Sequence, residues 1–127
     1  MAMNIFRETL DAILQAVDGI RTILIVGVDG IIIDRDFKDG VPDPELSYEL
    51  VAAEYTSLLK TSLRTAEDVE TGCLQEMAIL TERYLFIVRM ITEEYFIMMV
   101  MNPDGNFGRA RYEMKKAQIK LEKEFRI

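Results

Sequence analysis

The chain has 127 residues, half of them hydrophobic, and its 22 acids against 15 bases give a net charge of −7. A domain of this length buries roughly two-thirds of its unfolded surface, and the composition is that of a globular chain with no apolar run near the ~18 residues of a membrane span. With no histidine and one cysteine, the commonest general base and metal ligand is missing and no internal disulfide can form, so a cytoplasmic protein without catalytic machinery is the starting expectation.

No basic start followed by an apolar stretch opens the chain, and Ala2 stands where myristoylation needs glycine, so neither secretion nor that lipid anchor is expected. Helix α1 is predicted from a capping Asn4, with Phe6, Leu10, Ile13, Leu14 and Val17 as one apolar stripe opposite Arg7, Glu8, Asp11 and Gln15. Asp18-Gly19 ends it. Strand β1 covers residues 21–28 (RTILIVGV), and Asp29-Gly30 reads as a two-residue type I′ turn into a short β2 at residues 30–34. A polar loop, residues 35–43, leads to Asp43-Pro44-Glu45, a helix start with a capping acid and a proline in the first turn.

Helix α2 is therefore expected over residues 44–66, and it carries two apolar surfaces. At about 100° per residue, Tyr48, Val51, Ala52, Tyr55, Leu58, Leu59 and Leu63 cover one broad arc, while Leu46, Leu50 and Ala53, continued by Ser57 and Thr61, lie almost opposite. One arc packs on a sheet. The other needs separate cover, which points to a partner.

Strand β3 is predicted at residues 73–81 (CLQEMAILT), β4 at 84–91 (YLFIVRMI) and β5 at 95–101 (YFIMMVM), joined by turns at Glu82-Arg83 and Thr92-Glu93-Glu94. Asn102-Pro103-Asp104-Gly105-Asn106 breaks the last strand, and Phe107, Ala110, Met114, Ala117 and Leu121 mark helix α3. The order is α1-β1-β2-α2-β3-β4-β5-α3. Strands β1 and β5 are the most continuously apolar and belong in the centre, which gives a five-stranded antiparallel sheet of order 2-1-5-4-3, an α+β fold. Its edges are β2, blunted by Asp34, Arg35 and Asp36, and β3, whose Met77, Ile79 and Leu80 make it an exposed edge unless it is paired in a homodimer.

Charge is divided unevenly. Residues 1–104 hold 19 acids and 8 bases, residues 105–127 hold 3 acids and 7 bases. The body should repel nucleic acid, and Arg109, Arg111, Lys115, Lys116, Lys120 and Lys123 read as a solvated helix face with cations where the macrodipole favours them. Neither a nucleic-acid partner nor membrane insertion is expected.

Element order, the Val28-Asp29-Gly30 hairpin, the small-residue stretch Leu50-Val51-Ala52-Ala53, and Glu94-Tyr95-Phe96 through Pro103-x-x-Asn106-x-Gly108-x-Ala110-Arg111 resemble the roadblock (dynein light chain) family over nearly the whole chain. The similarity is greatest to its bacterial MglB-type partners of small GTPases. The resemblance implies a single domain, an α-β-α sandwich, that dimerises through β3 and α2 into a ten-stranded sheet. The paired α2 helices then form a platform for a Ras-like small GTPase. Carried onto this sequence, partner contacts fall to Glu49, Ala53, Thr56, Ser57 and Lys60, and dimer contacts to Leu46, Leu50, Met77 and Ile79, with the two sets open to partial exchange. A platform of this kind acts by biasing the GTPase's switch segments rather than through an arginine finger, for which α2 offers only Arg64.

Chemical sites fare poorly. Cys73 has no activating histidine, no G-x-x-x-x-G-K-[ST] loop holds nucleotide, and Gly105-Asn106-Phe107-Gly108 is explained as a strand-to-helix turn without a bound anion. Asp34, Asp36 and Glu45 match positions 1, 3 and 12 of a calcium loop, but Lys38 and the misplaced Gly40 break the pattern. No cofactor or metal is expected. An assembly adaptor without nucleotide preference, of the dynein light chain type, is the alternative role, and a small-ligand sensor a weaker one resting on fold analogy.

Overall fold

The structure, a computed structural model, describes residues 2–125, with side chains from Ile5 on. The elements follow in the predicted order: α1 (Ala2–Ala16), β1 (Ile20–Gly27), β2 (Ile32–Phe37), α2 (Tyr48–Asp68), β3 (Glu76–Leu80), β4 (Leu85–Met90), β5 (Tyr95–Met101) and α3 (Phe107–Phe125). All strand pairings are antiparallel and their spatial order is β2-β1-β5-β4-β3.

The centre goes to the strands that cannot face water on either side. Along β5, Phe96, Met98 and Val100 point into one core with Leu24, Val26, Ala52 and Leu59 under α2. The alternate residues Ile97, Met99 and Met101 point into a second core with Leu10, Leu14, Met114 and Leu121 of α1 and α3. Period-2 alternation along the strand thus builds two cores from one sheet, and the result is an α-β-α sandwich. Its two sides are unequal, two helices against one.

Several boundaries differ from expectation. Helix α1 is already formed at Ala2, so the backbone of Asn4 lies inside it rather than at its start; its side chain lies outside the described residues. The first hairpin has a three-residue loop, because Gly30 has φ +86° while Asp29 keeps negative φ, and Gly30 N–H reaches Gly27 O at 2.9 Å. A single left-handed glycine closing a three-residue loop replaces the type I′ turn, which needs two. Asp29 instead accepts from Ile31 N–H at 3.0 Å.

Strand β2 continues through Asp34, Arg35 and Asp36 to Phe37, in register with β1 and broken by a bulge between Ile25 and Val26. Asp34 and Asp36 are therefore strand residues and not a calcium loop. Strand β3 is shorter than expected, and Cys73 lies exposed ahead of it.

The α1–β1 turn presses on the β5–α3 turn. Gly19 has φ +87°, and a Cβ built there would stand 2.7 Å from Gly105 Cα. Two side-chain-free residues let Asn102 N–H reach Gly19 O at 2.8 Å, which ties the two turns together.

Candidate protein-protein interface

The exposed surface of α2 and the neighbouring β3 edge are left without cover by the fold's own elements. Its geometry begins with how α2 is seated. Ser47, not Asp43, caps the helix, accepting from Leu50 N–H at 3.3 Å. Asp43 lies four residues before that cap, outside the helix, and its carboxylate is engaged elsewhere. It accepts from Tyr84 Oη at 2.6 Å, pairs with Arg21 at 2.9 Å and accepts from Glu45 N–H at 2.9 Å.

The Tyr48 hydroxyl accepts from Asp43 N–H at 3.0 Å and meets Thr22 Oγ1 at 2.9 Å. Strand β1, the turn residue Tyr84 just before β4, the loop and the first turn of α2 are thereby joined at one point. The Tyr84 hydrogen bond, helped by the Glu45 amide and the Arg21 charge, holds the Asp43 carboxyl below its ordinary range against the opposing effect of burial. The same bond pushes the Tyr84 phenol up.

From that anchor α2 crosses the sheet with distinct flanks. Tyr48, Ala52, Thr56 and Leu59 are buried on the sheet. On one side, Tyr55 packs on Phe86 with ring centroids 4.7 Å apart, and Ser62 Oγ lies 3.7 Å from Met77 Sδ, so this flank overlies β4 and β3. On the other side Arg35 of β2 pairs with Glu49 at 3.0 Å, and a Cβ on Gly30 would meet Ala53 Cα at 3.7 Å. That flank overlies β1 and β2. Glu49's own backbone amide, then Arg35, lower its carboxyl from the usual range.

The expected residues now separate. Glu49, Ala53, Ser57 and Lys60 are exposed on or near the β2-side flank. Thr56 is a correction: it is 3% exposed, because its helical position turns it onto the sheet beneath the β1–β2 turn, and it presents nothing to a partner. Leu50 points straight outward at 60% exposure.

Leu46 precedes the helix and is half-buried against the α2-side core, as are Met77 and Ile79. These three are therefore partly covered within one chain. Leu58, placed by sequence on the sheet-facing arc, is 45% exposed on the β3-side flank. Its position at the extreme edge of that arc, about 70° from the centre at about 100° per residue, was the available signal.

The edge beside this flank is open. Thr81 N–H bonds to Tyr84 O and Met90 N–H bonds to Gln75 O. By the alternation of an antiparallel ladder, residues 75, 77, 79 and 81 face β4, which turns the backbone groups of Glu76, Ala78 and Leu80 outward. Glu76 is held at the start of this edge by Arg89 at 3.3 Å and Arg111 at 2.6 Å, so β3 is fastened to α3 as well as to β4.

Among the described residues no three His, Cys, Asp or Glu side chains gather closely enough to hold a metal ion, and no helix is long and apolar enough to cross a membrane.

Solved structures extend the picture. MglC from Myxococcus xanthus is similar over 98% of this chain and 99% of its own, with 31% identity and a TM-score of 0.68. The gliding protein MglB from Thermus thermophilus is 18% identical over 98% of this chain and 90% of its own, with a TM-score of 0.86. A Roadblock/LC7 domain from Streptomyces avermitilis is 14% identical, covers 94% and 97%, and has a TM-score of 0.81. At those lower identities the last two speak for the fold alone. No family model and no curated protein matches the sequence.

Proposed function

The chain belongs to the roadblock family, and from that premise we propose that it is a single-domain, cytoplasmic homodimer that binds a Ras-like small GTPase and modulates its nucleotide cycle without chemistry of its own. The observation that carries this reading is the outward surface of α2, where Leu50 and Leu58 stay exposed beside an unpaired strand edge. Covering an exposed leucine is worth roughly 1.5–3 kcal/mol in full, so two copies joined here gain from both the edge and the helix.

In the proposed dimer the β3 strands pair antiparallel about Ala78, continuing the sheet to ten strands and setting the two α2 helices side by side. Leu58, with Met77 and Ile79 beneath it, then lines the seam. Ala53, Ser57, Glu49 and Lys60 remain on the open part of the platform, where small side chains permit close approach and the two charges orient a partner. A rigid platform shifts the GTPase's switch segments only as far as it binds the two nucleotide states unequally.

The test is to titrate the Ras-like GTPase, loaded with GDP or a non-hydrolysable GTP analogue, against wild type and two variants. Ala53→Arg is expected to abolish binding, and Arg64→Ala to leave most of the effect on hydrolysis or exchange intact. The reverse pattern would move the mechanism to an arginine finger, and equal affinity for both nucleotide states would favour the assembly adaptor. The sensor role has little support, since the space between α2 and the sheet is filled by Leu24, Leu59, Phe96 and Met98, all at most 1% exposed.

A further inference from the structure

The opposite side of the sheet carries a second surface that the GTPase reading does not use. Helix α3 buries Ala110, Met114, Ala117 and Leu121, yet Tyr112 is 58% and Ile119 52% exposed on its outer face. They lie seven residues apart, about 10.5 Å along the axis and on the same side. Lysines surround them. Lys116 sits 5.0 Å from the centre of the Tyr112 ring and 3.4 Å from Glu113, and Glu113 also takes Arg109 at 2.9 Å. Among the described residues Lys115, Lys120 and Lys123 have no ion-pair partner, although the first 104 residues hold 19 acids. What sets this face apart from the chain's other exposed apolar residues is that Tyr112 and Ile119 are aligned one heptad apart with lysines on either side.

We propose that the outer face of α3 docks an acidic amphipathic segment of another protein, with two apolar anchors on Tyr112 and Ile119 and carboxylates on Lys115, Lys120 and Lys123. Charge complementarity selects the partner's sign, and the single-helix width of the basic stripe selects its form. Helix α1 packs beside α3, with Phe6 stacked on Phe125 at 5.1 Å, and exposes Glu8 and Asp11. A flat anionic membrane meeting α3 would also meet those acids, whereas a segment one helix wide avoids them. The surface lies across the sheet from α2, so both can be occupied together.

Selection of a phage-displayed library of random peptides, about 16 residues long to allow four turns of helix, on the full chain tests this. Enriched sequences should combine aspartate or glutamate with two apolar positions one heptad apart. As synthetic peptides they should bind wild type at least roughly tenfold more tightly than the double variants Tyr112→Ala/Ile119→Ala and Lys115→Glu/Lys123→Glu. Affinity should fall as salt rises, while Ala53→Arg leaves it unchanged. All four α3 positions are exposed, so the variants are expected to keep the wild-type circular dichroism spectrum. Peptides without acidic enrichment, equal binding by the variants, or binding to phosphatidylserine vesicles that the same variants lose would overturn the proposal.

Discussion

Asp43 illustrates how one side chain redirects local structure. Sequence made it a helix cap, but Tyr84 lies 41 positions away and no local pattern reveals that its hydroxyl takes the carboxylate. The consequence is a pH-dependent contribution to stability. A carboxyl held below its unfolded value stabilises the fold above the usual carboxylate range and loses that contribution as pH falls through the lowered folded value.

For Tyr84 the sign reverses: a raised phenol favours the fold below pH ~10 and loses its contribution as pH rises through the folded value. Asp43→Asn should cost about 1–3 kcal/mol at neutral pH. In thermal melts across pH 2–7 the gap from wild type should close below about pH 4, and a constant gap would assign the loss to packing instead. Thr56 and Leu58 show the same limit of periodicity. Both sit near a border of the apolar arc, where a small change of helix phase decides which is buried.

Elements were legible where their own residues impose the answer. Strand β5 was placed residue for residue, because Tyr95–Met101 is continuously apolar and bounded by turn residues on both sides. Strand β2 was ended too early, at Asp34, since Arg35 and Asp36 look like loop until Arg7 and Glu49 arrive from two helices to pair with Asp34 and Arg35. The turns at Gly19 and Gly105 hold the helical layer to the sheet through backbone proximity. Gly19→Ala should therefore destabilise by at least ~1–3 kcal/mol, combining a left-handed residue with a contact to Gly105 that has no flexible side chain to yield. Chemical denaturation should show the loss in midpoint, and an unchanged midpoint would mean the two turns separate freely.

At the scale of the whole molecule, sheet order followed from which strands have no polar face. The two-sided character of α2 was legible too, but not which flank borders β3; that needed the contacts of Tyr55 and Ser62 across the sheet. The proposed pairing of β3 edges is the step on which the proposed platform and its proposed GTPase partner rest. Ala78→Pro interrogates it cleanly, because at this position the backbone N–H points away from β4 and the ladder inside one chain keeps its bonds. Leu58→Arg attacks the same seam from the helix and should raise the dimer dissociation constant by at least roughly tenfold, about 1.4 kcal/mol. The most direct measurement is sedimentation equilibrium of the pure protein at micromolar concentration. Wild type should have about twice the 14.6 kDa chain mass and Ala78→Pro the mass of one chain; a monomeric wild type, or a folded Ala78→Pro that stays dimeric, would contradict the account.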